Sequence, residues 1–491
     1  MSAAISPAFS FFCVLLYFAL LLGVAWFTSR NASNDSFFIG NKSSNWMVVA
    51  FGMVGSSLSG VTFISVPGAV GSDGFGYLQI VIGYVIGYIA VAYLLLPLYY
   101  RLQLTSIYHY LDVRLGRRAQ QSGAAFFILS RVLGATARLY LVVNILQATL
   151  LDQLHVPFWL TSVILLAMIL LYTYEGGVKT IVWTDTLQTV CMLAGLLVCV
   201  IYLLRAMDLS PAAGLARMQA QGLARVFTTA FDSPAYYWKQ ILAGIFIVLT
   251  MTGMDQEMMQ KTISVKTLRD AQKNIVWLGF ILAGVIMLIL FLGGLLSLYA
   301  PLAGVTARGD KLFAAVVLGH LPAWVQLLFF IALISALFPS VDGAITALTS
   351  SFCIDIIGIN RRAGWTEAVK KRWRHRVHLG FCALFLLLVM IFKWIDSASM
   401  IGVILKVASY TYGPLLGLFA FGIVSRRRVR DGLVPLVVLA GPLLCALIEH
   451  FQAQLFGAYR LGLELLMLNG LLVLAGLFVI SLPAAAAASA K

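Results

Sequence analysis

Residues Ala50 to Gly68 read AFGMVGSSLSGVTFISVPG, and the reading of this stretch decides the fold. It lies within apolar sequence yet carries four glycines (Gly52, Gly55, Gly60, Gly68), four serines, Thr62 and Pro67. A bilayer offers no hydrogen-bond partners, so a spanning helix must pair every backbone group internally. Gly, Ser and Pro loosen that ladder. Two readings follow. The stretch is a packing helix whose small residues allow close helix contact, or it is a broken helix whose freed carbonyls face an ion in a protein-lined cavity.

The surrounding chain sets the solvent. Its 491 residues are 61% hydrophobic and 11% charged, with mean hydropathy +0.95; soluble domains average about 45–50% apolar and ~25% charged. This is a membrane composition. Runs long enough to span are expected at 8–28, 46–68, 76–100, 120–150, 157–174, 180–204, 237–259, 275–299, 323–356, 377–394, 398–424, 433–449 and 461–482. That gives about 13 helices. The first is too long for a signal peptide and reads as an anchor. Of 34 Lys and Arg, 23 fall in alternate segments that would face the cytoplasm if the N-terminus lies outside. Eight fall in the opposite segments, and Arg131, Arg138 and Lys406 lie within helices. The asymmetry places the N-terminus outside and the C-terminus in the cytoplasm. The net charge of +15 is thereby a topology signal, and no nucleic-acid partner is expected. Six Cys and six His show no metal-ligand spacing, and no nucleotide loop or nucleophile motif is present. The chain reads as a non-enzyme.

Several helices carry groups that a bilayer penalises. Arg131 and Arg138 stand seven residues apart on one helical face; Arg131, nearer the basic end, reads as reaching the interface, whereas Arg138 reads as facing a cavity or an acid. YTYEGGVKTIVWTDTLQ (172–188) sets a tight turn at Glu175-Gly176-Gly177 before Asp185. Asp185 is either an intramembrane acid or an interfacial helix-start residue. FIVLTMTGMDQEMMQK (246–261) is a second candidate break, although Asp255 and Glu257 could simply emerge into the cytoplasm. In 323–356, Pro339 frees a carbonyl and Asp342 is a buried acid that must be protonated or paired. Lys406 is the nearest buried base by count.

Five collinear motifs resemble the sodium:solute symporter family: SSLSGVTFISVPG, YTYEGGVKTIVWTDTLQ, MDQEMMQKTISVKTLRDAQK, SVDGAITALTSSFCIDII and YGPLLGLFAFGI. They run in order over about residues 8 to 430. The resemblance implies an all-α polytopic membrane protein of LeuT type, one domain over 1–491. It has a peripheral first helix (8–28), inverted five-helix repeats at 46–204 and 237–424, and two peripheral helices in 433–482. It further implies sodium at the carbonyls of Gly55, Leu58 and Ala336 and the Ser340 hydroxyl. Pro339 stands where that site usually has a second hydroxyl. Asp342 replaces a serine of a second sodium site whose acid matches Asp185, so these two acids could hold a second cation or a proton, or pair with Lys406. Ser59 and Thr62 match solute-facing positions; Gln79 and Arg138 lie near such positions without aligning to them. Met251 and Asp255 face the solute at the second break.

The expected function is secondary active symport by alternating access, sodium influx driving uptake of a small polar or anionic organic solute. A proton-coupled symporter on the same scaffold, or a non-transporting sensor or channel, is the rival. Sodium serves as coupling ion, not as a prosthetic group. The expected partners are the solute, sodium and the lipid bilayer, in a plasma membrane of the bacterial inner-membrane kind. The sequence leaves the oligomeric state open.

Overall fold

The computed structural model describes residues 7–29, 37–38, 40–147, 151–152, 155–362, 364–395 and 400–483. The end of the expected fourth helix (148–150), the start of the eleventh (398–399), and Arg30 and Lys491 of the charge count lie outside the described residues. Among the described residues the regular structure is helical, apart from one two-residue strand pair, Arg428–Val429 with Ser481–Leu482.

The apolar helices are α1 (Pro7–Ser29), α2 (Trp46–Asp73), α3 (Leu78–Arg101), α4 (Arg117–Leu146), α5 (Phe158–Tyr174) and α6 (Gly177–Ala206). There follow α7, a bent pair of Tyr237–Gly253 and Gln256–Ile263, then α8 (Leu268–Leu302), α9 (Ala323–Ile357) and α10 (Glu367–Trp394). The last are α11 (Ile404–Val424), α12 (Asp431–His450) and α13 (Leu465–Val479). Among the described residues, nine helices are long and apolar enough to cross a membrane, ten if the bent pair is one span; α5, α13 and the apolar part of α1 are shorter. This is a multi-pass membrane protein.

Three interruptions organise the bundle. In α2 the break falls at Ser59, a non-glycine residue at φ 37°, ψ 159°. The helix then runs on through Pro67 to Asp73 rather than stopping at the proline. Between α5 and α6 the chain turns at Gly177 (φ 56°). A side chain there would strike the Phe37 backbone, so both the left-handed torsion and the close approach require glycine. In α7 a wide turn at Leu249–Gly253 leads to a 65° bend. Asp255 restarts the helix by accepting from the Glu257 and Met258 amides at 2.9 and 3.2 Å. The carbonyls freed at this bend are not left bare: the Tyr99 hydroxyl donates to Gly253 O (2.7 Å) and the Tyr108 hydroxyl to Met254 O (3.0 Å), as a membrane interior demands.

Basic loops gather at one end of the bundle. Arg361 pairs with Asp112 at 2.6 Å, the Asp431 carboxylate accepts from the Arg118 and Ala119 amides, and Arg114 donates to the Gly422 carbonyl. At the opposite end Gln79 and Thr228 join the loop after α6 to α3, and Lys239 stands 3.8 Å from Glu464. α1 lies against α5, α6 and α9, where the Ser335 hydroxyl donates to Tyr17 at 2.7 Å.

Candidate functional site

A cavity of ≈ 110 Å³ opens beside the Ser59 break. The α2 wall contributes Ser56, Ser57, Leu58, Ser59, Val61 and Thr62; α3 contributes Tyr77, Tyr84 and Tyr88; α4 contributes Arg131 and Arg138. Ile247, Val248, Met251, Thr252 and Met258 of α7, Leu282 and Ile286 of α8, and Ile404 and Leu405 of α11 complete it. The lining combines apolar side chains with convergent hydroxyls and two guanidinium groups, Arg131 and Arg138, a mixture found in small-molecule sites. Ser59, Thr62, Arg138 and Met251 therefore meet on one cavity, as do both breaks. Arg138 makes no hydrogen bond or ion pair to the described residues, so its guanidinium is available to a ligand.

Gln79 and Asp255 do not line this cavity. Gln79 is consumed at the far turn, donating to Gly76 O (3.1 Å) and accepting from the Thr228 amide (3.2 Å). Asp255 belongs to a charged floor on the basic side. Arg131 Nη2 lies 3.1 Å from Asp255 Oδ1 and 2.8 Å from Glu257 Oε2, and the Tyr412 hydroxyl donates to Asp255 Oδ2 at 2.5 Å. Arg131 is thus a buried, doubly paired residue rather than one reaching the interface. Asp255 and Glu257 are buried rather than emerging, with 0% and 2% exposure. Every residue from Gln256 to Ile263 is buried, because the bend folds this half-helix back beneath the cavity.

The floor continues through a lysine that the sequence reading placed in a basic loop. Lys261 Nζ donates to Asp185 Oδ2 (2.7 Å) and to Ser56 Oγ (2.6 Å) and sits 3.5 Å from Glu257 Oε1; Ser56 Oγ donates to Asp185 Oδ2 at 2.9 Å. Asp185 is consequently an intramembrane acid, not an interfacial one. Asp342 accepts from the Tyr172 hydroxyl at 2.7 Å and lies within electrostatic reach of Asp185, Lys261 and Glu257. Lys406 is not its partner: it is largely exposed and pairs with Glu449 of α12 at 2.8 Å. The one sequence signal for Lys261 was its i, i+4 spacing from Glu257.

Of the expected sodium ligands, Gly55 packs against α9. A side chain at Gly55 would come within 3.3 Å of Pro339, and its amide donates to Thr189 Oγ1 at 3.1 Å. Ala336 and Ser340 are buried, and the Ser340 hydroxyl donates to the Leu337 carbonyl at 2.8 Å. Leu58 immediately precedes the break. Among the described residues no three His, Cys, Asp or Glu side chains converge as a metal site.

Comparison with known proteins gives a consistent set. The model of the Sodium:solute symporter family matches residues 37–435. Sodium-coupled monocarboxylate transporter 2 of Bos taurus is 25% identical over 414 residues, covering 80% of this chain and 64% of that protein. The human Sodium/iodide cotransporter is 29% identical over 258 residues, 52% of this chain and 39% of that one. The chain thus spans less than two thirds of the length of these relatives. Among solved structures, a Na+-coupled sialic acid symporter in a substrate-bound outward-open state superposes with TM-score 0.82 at 17% identity, covering 96% of this chain and 97% of that one. Mhp1, a nucleobase-cation-symport-1 family transporter, superposes with TM-score 0.54 at 14% identity, covering 91% and 93%. This likeness shows the fold, the LeuT-type arrangement.

Proposed function

This chain belongs to the sodium:solute symporter family, and on that premise we propose that it is a secondary active symporter in which sodium entry drives uptake of a small organic monoanion, of which short monocarboxylates are the first class to test. The observation that carries the reading is Arg138, a guanidinium on a small cavity whose other lining residues are apolar or hydroxyl-bearing apart from the acid-paired Arg131. A half-buried charge facing a cavity, with no carboxylate among the described residues bonded to it, favours a ligand of opposite charge. The half-helix that restarts after Ser59 supports it, since a helix start carries the positive end of a dipole and Thr62 of its first turn lines the same cavity. Ser59 and Met251 complete the solute contacts. The volume of ≈ 110 Å³ favours a body of a few heavy atoms, and the monocarboxylate relatives favour the same class.

The same break accounts for the ion. The first half of α2 ends at Leu58, so the carbonyls of its last turn, Gly55 to Leu58, have lost their ladder partners, at the negative end of a helix dipole. Gly55 touches α9 at Pro339, bringing the Ala336 carbonyl and Ser340 hydroxyl into the assigned set. Neutral oxygens suit a hard cation that must leave again. The inverted repeats are assigned to 46–204 and 237–424, and their first helices, α2 and α7, are both broken in mid-span. The basic end is assigned to the cytoplasm, with the N-terminus outside, in a plasma membrane.

One sodium crossing 100 mV releases about 2.3 kcal/mol, and a tenfold ion gradient adds ~1.4 kcal/mol. For a neutral solute this supports an accumulation of roughly a few hundred-fold. For a monoanion the electrical work on the two ions cancels, and the sodium gradient alone sets the accumulation. The test is uptake of labelled short monocarboxylates into proteoliposomes at fixed pH, with external sodium or choline. Accumulation only with sodium is the expected result. Equal accumulation in choline would overturn sodium coupling and point to the proton.

A further inference from the structure

Lys261 stands where three helices meet. Its ammonium bonds Asp185 of α6 at 2.7 Å and Ser56 of α2 at 2.6 Å, with Glu257 3.5 Å away. Toward α9, a methyl group built on Gly343 would lie 2.9 Å from Lys261 Nζ, so the ammonium passes beside the backbone directly after Asp342. The lysine is 2% exposed, and Asp185 and Asp342 are 0% exposed. An ammonium has three donors and no acceptor; Asp185 and Ser56 each take one as a hydrogen bond, and Glu257 adds an ion-pair contact. Asp185 keeps its other oxygen, Oδ1, buried without a hydrogen-bond partner.

We infer that Lys261 is a tethered cation holding the place of a second transported ion, so that the crossing of α2, α6 and α9 takes no sodium while the ammonium is there. The inference rests on the sodium reading above and limits it to one ion per cycle, bound between α2 and α9. The reason is electrostatic. Two unit charges ~4 Å apart at an effective dielectric constant of ~20 repel enough to weaken binding roughly a thousandfold. A sodium coordinated by Asp185 beside Ser56 would stand at about that distance from the ammonium. Removing the ammonium leaves the Asp185 and Ser56 oxygens it now bonds, with Asp342 nearby and Glu257 still paired with Arg131. Such oxygen donors suit a hard cation. The lysine also explains how an acid can replace serine at position 342: the added negative charge lies within reach of a resident positive one.

Equilibrium binding of labelled sodium ion alone, with no solute, to the purified full-length protein counts the sites. The wild-type protein is expected to bind one sodium per chain and Lys261→Met two; Lys261→Met combined with Asp185→Asn is expected to return to one. Lys261→Gln serves as the neutral variant if Lys261→Met does not fold. Two sites in the wild-type protein overturn the inference whatever the variants do, as does a folded neutral variant that still binds one. No site in the wild-type protein would instead defeat the sodium reading itself.

Discussion

Asp255→Asn removes one charge from the floor of the cavity and leaves its shape. Asparagine still accepts from the amides of Glu257 and Met258, so the restart of α7 keeps its cap. What is lost is half of the compensation of Arg131, which lies 3.1 Å from Asp255 and 2.8 Å from Glu257 and is 5% exposed. Removing the partner of a buried charge costs about 3–5 kcal/mol. Because Glu257 remains, roughly half of that, ~2 kcal/mol, is the expected penalty. It falls on the closed arrangement alone, since water reaches Arg131 once the basic side opens. A penalty of ~2 kcal/mol shifts the closed-to-open ratio about 30-fold. The assay places a cysteine at Thr62 on the cavity wall, in a protein whose six cysteines lie outside the cavity lining. A membrane-impermeant thiol reagent is then applied from the basic side. Labelling should accelerate by one to two decades in Asp255→Asn. An unchanged rate, or acceleration only from the opposite side, would refute the assignment of this lattice as the gate on the basic side.

Arg138→Gln should raise the KM for an anionic solute about 10- to 100-fold, the range of one charge-assisted contact of ~1.5–3 kcal/mol, with Arg138→Lys recovering part of the loss in the same uptake assay. Ser340→Ala should raise the sodium concentration for half-maximal uptake while leaving solute KM at saturating sodium near its wild-type value; unchanged sodium dependence would remove Ser340 from the ion site. Gly343→Ala places a methyl group 2.5 Å from Glu257 Oε1 and 2.9 Å from Lys261 Nζ. Overpacking of about 1–3 kcal/mol should lower the melting temperature in detergent.

The membrane class and the site of the first break were legible in the sequence because both rest on composition: apolar runs around a dense group of Gly, Ser and Pro. The residue that takes the strain was not. Glycines stood ready at Gly55 and Gly60, yet Ser59 adopts φ 37°, a conformation that costs energy for any L side chain. The buried acids Asp185 and Asp342 were visible as lone carboxylates in apolar sequence. Their counter-charge was hidden by the bend in α7. Along the chain, the stretch around Asp255 and Glu257 reads either as a second break or as polar sequence leaving the membrane, and the 65° turn returns it to the interior. Lys406 failed in the opposite way: one lysine in an apolar run says nothing about which helix face it occupies, and its face meets Glu449. Gln79 is buried as expected of a site residue, but a loop 149 positions away claims its carbonyl.

These contacts join the proposed ion site to the charged floor. Ser56 follows Gly55, whose carbonyl is assigned to sodium, and its hydroxyl bonds both Lys261 and Asp185. Lys261 and Arg131 share Glu257, and Arg131 and Tyr412 share Asp255. Coupling between sites requires a contiguous element with two arrangements that both sites bias. We propose that the turn of α2 before the Ser59 break is such an element, because carbonyls of that turn that close on a cation move the turn that also carries Ser56. On the proposed assignment, sodium binding acts on this chain of buried ion pairs, and Lys261 lies in the line of that transfer. A neutral residue at 261 should therefore alter both the ion count and the dependence of gate opening on sodium, whereas Asp255→Asn should open the gate at any sodium concentration.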